Sequence, residues 1–373
     1  MSDKAENLRM LMDEDEFLSF TKYSSLYEKN DNFNAFLEQV IYNRTVNRNT
    51  SVNRRKVFLD IKTPIKRYLY CLLKTLLIAD FNIYIFGHFE IFSKLDRYSQ
   101  LLMHSERILI TFKKEQDSLT ISDNQLSNVR LDYDWYSDIR MDKQNIIFPF
   151  SMHPLLYEDS SEQPDILLKN KIKILFAGNI DKALYSRLSP KFNLIPRHEV
   201  VEFLKGFNFT REVNKMSELN SNQDLSNKLI IADSRNRVFP LAQWLNVLRQ
   251  TSFFLALPGT VTPLSHNLIE AMSVGSIPII QYGSYMRPKL KDNLNCISYN
   301  TLSELKKKIE YLISVDVNEI NRLKQNVLEY YHDYLDLNRF SKKMALLAEE
   351  DKNEKFTIFL NAEHVTTKAY LRS

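Results

Sequence analysis

Two cysteines, Cys71 and Cys296, are all that 373 residues contain, both in apolar surroundings and without metal-ligand spacing. That leaves no disulfide framework and no structural zinc to expect, and buried free thiols in a reducing compartment are the plain reading. A charge imbalance is also missing. Lys and Arg total 50 against 46 Asp and Glu, a formal net charge of +4, and no basic block is interleaved with aromatics, which argues against nucleic acid as a partner. The longest apolar stretch, from Tyr68 to Ile85, is broken by Lys74, Asp80 and Asn82. It reads as a buried helix followed by a strand, not as a bilayer span. The amino terminus, acidic up to Glu16, lacks the charged-then-apolar pattern of a signal sequence, so secretion is not expected. No internal repeat or low-complexity tract occurs, and the Asn-, Lys- and Ile-rich composition with only six glycines suits an AT-rich genome.

What remains is an ordinary globular composition, 44% hydrophobic and 26% charged, at a length suited to two domains. A polar helical extension is expected over residues 1–50, ending in an Asn/Arg-rich loop from Asn43 to Arg55. Strands at Lys56–Asp60, Asn82–Phe86, Arg107–Phe112 and Asn145–Phe148 alternate with a helix at Ile65–Ala79, which predicts a parallel α/β domain over 51–152. A linker through Met152-His153-Pro154 to Pro164 leads to a second such domain, 153–336. There, strands at Lys171–Phe176, Lys228–Ile231, Phe253–Leu257 and Ile277–Ile280 alternate with helices at Asp181–Leu188, Arg197–Leu204 and Leu241–Gln250. The apolar spacings Leu302, Leu305, Ile309, Leu312 and Ile320, Leu323, Val327, Tyr331 mark two more helices. Residues 337–373 hold a last amphipathic helix, Leu337–Glu349, and a short strand at Phe356–Leu360.

The most informative segment runs from Phe253 to Ile280 and reads strand, turn, helix, strand. Pro258-Gly259 is a turn signal. Thr262-Pro263 predicts a helix start with Thr262 as N-cap, and Gly275 predicts its stop. His266 and Glu270, four residues apart, share a helical face. A helix N-terminus in an open α/β sheet attracts phosphate, and a carboxylate one turn deeper can accept hydrogen bonds from ribose hydroxyls.

The run Glu270-Ala-Met-Ser-Val-Gly275-Ser-Ile-Pro278-Ile-Ile280 resembles the donor-binding segment of glycosyltransferases with the two-Rossmann-domain (GT-B) architecture. In those enzymes the glutamate of this run binds the donor ribose. The preceding Phe-x-Leu-x-Leu-Pro-Gly stretch with Ser265 and His266 resembles more closely the exostosin-like group (family 47), in which a serine and a basic residue precede the glutamate. The likeness is dense from Phe253 to Ile280 and loose over the rest of the second half. Many retaining GT-B enzymes place a second glutamate at E-x7-E spacing, but the matching position here is Thr262, so the resemblance leans toward an inverting enzyme.

It implies two Rossmann-like domains with a cleft between them, a terminal helix crossing back, and a nucleotide-sugar donor, UDP- or GDP-linked, with no further cofactor. Phe176-Ala-Gly178-Asn179 resembles the family's Phe-x-Gly-x turn, and its following arginine matches Arg187. The candidate donor contacts are therefore Gly178, Arg187, Arg235, Arg237, Pro258, Gly259, Ser265, His266 and Glu270, with Arg287 and Lys289 as a further basic pair. No Asp-x-Asp triplet of the metal-dependent glycosyltransferases is recognised in the sequence, so metal-independent chemistry is expected, with cations and helix-end donors meeting the leaving diphosphate.

A base for the acceptor hydroxyl is expected in the first domain, at His88 or Glu90 after a strand end, with Asp60, Glu106 and His153 in reserve. The acceptor implied is a glycan or glycolipid in capsule or surface-polysaccharide synthesis. The exostosin relatives in animals are anchored Golgi proteins, whereas this composition fits a cytoplasmic enzyme of a bacterium or virus, compatible with peripheral association with the inner face of a membrane. Two other readings stand beside it. One is an inactive glycosyltransferase-like subunit, the other a GT-B-fold epimerase or other transferase.

Overall fold

The computed structural model describes residues 3–47, 54–158, 172–220, 225–350 and 354–368, except 364 and 367. The expected linker beyond residue 158 and the end of the tail therefore lie outside the described residues. The chain forms two compact units, Met1–Phe148 with Leu337–Ser373, and Pro149–Asp336. In chain order the strands are β1 (Arg55–Asp60), β2 (Phe81–Phe86), β3 (Ile108–Thr111), β4 (Leu119–Ser122), β5 (Val129–Asp132), β6 (Asn145–Ile147), β7 (Ile172–Gly178), β8 (Thr210–Val213), β9 (Leu229–Asp233), β10 (Thr251–Ala256), β11 (Ile277–Ile280), β12 (Ile297–Ser298) and β13 (Phe356–Phe359).

The first unit holds a seven-stranded sheet in the order β3-β2-β1-β4-β5-β13-β6, with every pairing parallel. Val57, Phe58 and Leu59 of β1 are buried in succession, as expected of a central strand covered on both faces. The helix Arg67–Ile78 follows β1, and the terminal helix Leu337–Leu347 packs against it. The chain thus returns to its first unit and adds β13 between β5 and β6. Strands β4 and β5 have no counterpart in the sequence reading. Leu-Thr-Ile-Ser and Val-Arg-Leu-Asp are four residues each, with polar positions inside the run, and hydrophobic periodicity is weak at that length.

The amino-terminal helices Asp3–Arg9, Glu14–Ser24 and Phe33–Val46 belong to this unit's core through Leu8, Phe17, Phe20, Phe36, Leu37 and Val40. Glu16 is 3% exposed and ties them down. Its carboxylate pairs with Arg44 and accepts from the Thr111 hydroxyl (2.6 Å) and the Phe112 amide (2.9 Å). The loop expected from Asn43 begins later, because Asn43 and Arg44 lie in the third helix. There the Asn43 amide accepts from Ile110 N (2.7 Å) and donates to Ile108 O (2.9 Å), covering the edge of β3.

The second unit holds a six-stranded, fully parallel sheet in the order β12-β11-β10-β7-β9-β8. The order reverses beside β7, between β7 and β10, which is where open α/β sheets bind ligands. Two Rossmann-like α/β units are thus the observed fold class. The helices Leu302–Ser314 and Val317–Tyr334 bury Leu305, Ile309, Leu312 and Ile320, Leu323, Val327 as the spacing predicts, but Tyr330 and not Tyr331 completes the second face. The helix expected over Asp181–Leu188 is a single turn, Lys182–Tyr185. Among the described residues no helix is long and apolar enough to cross a membrane.

Gly275 ends the helix before β11 at φ +79°, with its N–H on Met272 O (3.1 Å) and Ser276 N on Ala271 O (2.9 Å). A Cβ there would also lie 3.2–3.4 Å from the Leu328 side chain. Gly275→Ala should therefore lower unfolding free energy by about 1–2 kcal/mol or more, read from a denaturant midpoint. An unchanged midpoint would contradict the left-handed stop.

Candidate functional site

The segment after β10 folds differently from its sequence reading. Gly259 N donates to Pro263 O (3.1 Å), closing a tight loop in which a Cβ on Gly259 would meet Thr262 O at 2.6 Å and Leu264 O at 2.9 Å. Only glycine fits this crossing. Thr262 is buried inside the loop, so it cannot cap the helix, which starts three residues later than expected. The helix spans His266–Ser273 with Ser265 in extended conformation at the N-cap. Its first two residues, His266 and Asn267, line a cavity of about 300 Å³ together with Gly178, Arg197, Trp244 and Glu270. Asn267 Nδ2 donates to Ala177 O (2.8 Å), pinning this helix start to the end of β7.

Glu270 is 5% exposed and its two oxygens have different partners. Oε1 accepts from His153 N (3.0 Å) and Oε2 from the Trp244 indole (2.6 Å). Both oxygens are thus held by protein donors, and the carboxyl lines the cavity, where ligand hydroxyls can reach it. His266 donates from Nδ1 to Ser151 O (2.6 Å), stacks on Phe150 and meets the His153 ring edge-on at 6.2 Å. His153, a reserve candidate for a base, thus belongs to this cavity and orients Glu270.

Arg197 opens the helix Arg197–Lys205 and is 4% exposed. Nε donates to Pro258 O (3.1 Å), Nη1 to Asn179 O (3.2 Å) and the Tyr185 hydroxyl (2.8 Å), and Nη2 to Leu257 O (3.1 Å). The guanidinium lies 4.1 Å from the Tyr185 ring centroid. Among the described residues it pairs with no carboxylate, and burial pushes its pKa below the usual guanidinium value, against opposing contributions from Tyr185 and Tyr282. A buried cation answered only by neutral acceptors gives its cavity a positive field. Gly178 owes its identity to this group, since a Cβ would sit 2.9 Å from Arg197 Nη1.

Arg187 is exposed beyond the Lys182–Tyr185 turn and does not line the cavity. Arg235 is exposed and paired with Asp233 (2.6 Å), whereas Arg237 reaches the cavity from a left-handed position, φ +51°. Arg287 is tied to Ser284 O and Met286 O in the loop after β11, and Lys289 is exposed nearby. Arg197, Trp244 and Asn267 were missed by the sequence reading. A usable signal for Trp244 was that a buried indole N–H needs an acceptor, as a buried Glu270 needs donors.

Two Asp-x-Asp triplets do occur in the first half of the chain, Asp13-Glu14-Asp15 and Asp132-Tyr133-Asp134. Neither lines this cavity. Asp13 caps the helix Glu14–Ser24, and Asp132 pairs with Arg130 (2.6 Å) while accepting from Asp134 N (2.9 Å). Among the described residues no three His, Cys, Asp or Glu side chains cluster to hold a metal.

The first unit carries a separate cavity of about 520 Å³ at the carboxyl ends of β1 and β2, lined by Tyr23, Tyr27, Asp60, Phe86, His88 and Glu90 with Lys62. His88 Nε2 lies 2.6 Å from Asp60 Oδ1, and this imidazole holds the Asp60 carboxyl below its usual range against the opposing effect of burial. An ionised Asp60 fixes the proton on Nε2 and leaves Nδ1 as the basic nitrogen. Glu90 is exposed and accepts from the Tyr27 hydroxyl (3.0 Å). Glu106 precedes β3 and lies at the opposite end of the sheet.

No protein-family model matches the chain, and no curated protein sequence is similar to it. Among solved structures it is similar to a glycosyltransferase from Rickettsia africae ESF-5, at TM-score 0.44 and 11% identity over 80% of this chain and 98% of that one. It is similar to Anabaena HepE in complex with UDP, at TM-score 0.44 and 11% identity over 79% and 99%. A glycosyltransferase of avilamycin A biosynthesis, AviGT4, follows at TM-score 0.36 and 10% identity over 79% and 97%. At this degree of likeness the residues' roles have to be read from their own geometry.

Removing the Arg197 guanidinium takes a donor from the carbonyls of Asn179, Leu257 and Pro258, of which Leu257 O keeps the Tyr282 hydroxyl (3.4 Å), and a buried group left unsatisfied costs about 1–3 kcal/mol. Arg197→Met is expected to lower unfolding free energy by at least about 2 kcal/mol. Wild-type stability in that variant would show the guanidinium to be dispensable for these loops.

Proposed function

We propose that this chain is a nucleotide-sugar-dependent glycosyltransferase of the GT-B kind. In this reading the second unit binds the donor and the first supplies the base. One observation carries the reading: the cavity at the carboxyl ends of the second sheet puts a buried cation, a helix start and a buried carboxylate together. A nucleoside diphosphate has matching parts. The diphosphate suits the field of Arg197 and the N-terminus of His266–Ser273, and the ribose diol suits the cavity-lining carboxyl of Glu270. The leaving diphosphate's charge is met by these groups and Arg237, without a metal.

Transfer to an acceptor hydroxyl with inversion needs a base. We assign it to His88 Nδ1, with Asp60 orienting the ring and stabilising the imidazolium that forms, and this supersedes Glu90 as an equal candidate. The acceptor is a glycan or glycolipid hydroxyl, in capsule or surface-polysaccharide synthesis. The exostosin-like resemblance of Ser265, His266 and Glu270 supports the inverting assignment.

Thermal-shift screening against UDP, GDP and their sugars should single out one nucleotide, since a ligand at a hundred times its Kd stabilises by about 2.7 kcal/mol. Glu270→Gln, which preserves the side chain's shape, should weaken that nucleotide by roughly tenfold or more, because a hydrogen bond to a charged group contributes about 1.5–3 kcal/mol. Unchanged affinity removes Glu270 from the site. Activity should survive EDTA, and a complete, metal-reversible loss contradicts the metal-independent mechanism.

His88→Ala and Asp60→Asn should each lower kcat by about a hundredfold or more with donor affinity nearly unchanged, as expected for base catalysis. Near-normal turnover in both variants moves the base elsewhere.

A further inference from the structure

The helix Glu14–Ser24 and the turn after it bring two tyrosines to the first unit's cavity, although this part of the sequence reads as a polar extension. Tyr27 stacks on Phe89 with ring centroids 4.4 Å apart at 14°, and its hydroxyl donates to Glu90. Tyr23 accepts from Phe89 N (2.8 Å), packs edge-on against Phe86 (5.5 Å) and lies 6.4 Å from the His88 ring. Both tyrosines are half-buried, so each combines a fixed ring with a surface open to the cavity. Among the described residues the cavity's charged lining is Asp60, Glu90 and Lys62, with His88 beside them. Two carboxylates against one exposed lysine disfavour an anion there, in contrast to the Arg197 cavity of the second unit.

The ligand that suits aromatic faces beside hydrogen-bond acceptors, and carries no negative charge, is a neutral sugar ring. Its C–H faces lie against π surfaces and its hydroxyls donate to carboxylates. Glu90 also lines an adjoining cavity of about 380 Å³ with Asn30, Asn32, Lys66, Lys94 and Asp96. That continuation, which Pro64, Ile65, Leu69, Ile91 and Leu95 also line, has room for a second residue of the same chain. We propose that Tyr23 and Tyr27 form a sugar-binding platform, with Glu90 accepting from a hydroxyl, and that this site takes the uncharged end of an oligosaccharide. Calling that oligosaccharide the acceptor rests on the glycosyltransferase reading, whereas the binding site itself does not.

The test is saturation-transfer NMR on the full chain with methyl β-D-glucopyranoside, methyl β-D-galactopyranoside, methyl α-D-mannopyranoside, cellobiose and lactose, and with glucose 1-phosphate as the anionic probe. At least one neutral sugar should bind, a disaccharide more tightly than its monosaccharide, and glucose 1-phosphate should not compete for it at this site. Tyr27→Ala should weaken the bound sugar by about tenfold or more, because the ring face and the hydroxyl that holds Glu90 are lost together. Tyr27→Phe, which keeps the ring on Phe89, should bind within a few-fold of wild type. Silence from all five neutral sugars, wild-type binding by Tyr27→Ala, or displacement by glucose 1-phosphate would each overturn the proposal. Nucleotide binding measured on the same samples keeps the two readings apart. If UDP or GDP binds while the sugars fail, the platform falls and the donor site stands, and if sugars bind without any nucleotide, the platform stands alone.

Discussion

The buried guanidinium of Arg197 is the constraint around which the second unit's site is arranged. It reaches the loop after β7 through Asn179, the single turn through Tyr185, and the end of β10 through Leu257 and Pro258. Two strand-end segments and one helical turn are thereby held to one side chain, and a Cβ on Gly178 would press on it at 2.9 Å. The cost of burying a cation without a carboxylate is offset by four hydrogen bonds and the Tyr185 ring, and what remains uncompensated is charge facing a cavity. Glu270 completes the site from the other side, steered by Trp244 and the His153 backbone.

The first unit is organised by the opposite sign. Glu16, nearly inaccessible, accepts from Arg44, Thr111 and Phe112 and so binds the amino-terminal helices to the end of β3. With those helices in place, Tyr23 and Tyr27 stand beside the Asp60–His88 pair. The result is two chemically different cavities in one chain. One is cationic and suited to a diphosphate, the other aromatic and carboxylate-lined and suited to hydroxyls.

Much of the fold was legible because long buried parallel strands are continuous apolar runs, and β1, β2, β10 and β11 were each visible from residues such as Ile83, Phe253 and Ile279. Strands β4, β5 and β8 were not, because four residues with polar positions carry too little periodicity. Glu270 and His266 were singled out by their four-residue spacing and Gly178 by the resemblance of its turn, and the three line one cavity. Arg197 was not, since Arg187 stood nearer to the glycine in sequence and nothing local shows which arginine folds inward. Only packing against Tyr185 and the carbonyls of β10's end decides that. The N-cap was misplaced from Ser265 to Thr262 because a Thr-Pro pair is a strong local start signal, overridden here by the Gly259–Pro263 loop closure. The tyrosine platform was invisible for a related reason, that its partners Phe89 and Glu90 are distant in sequence from Tyr23 and Tyr27.

The central claim is that the cavity holding Arg197 and Glu270 receives a nucleoside diphosphate. A crystal structure of the chain with UDP or GDP, whichever stabilises it, tests this most directly. The diphosphate should lie at the start of the His266–Ser273 helix beside Arg197, with a ribose hydroxyl donating to Glu270. A nucleotide bound with its ribose away from Glu270 and its phosphates away from that helix start would contradict the account, as would the failure of every nucleotide to bind.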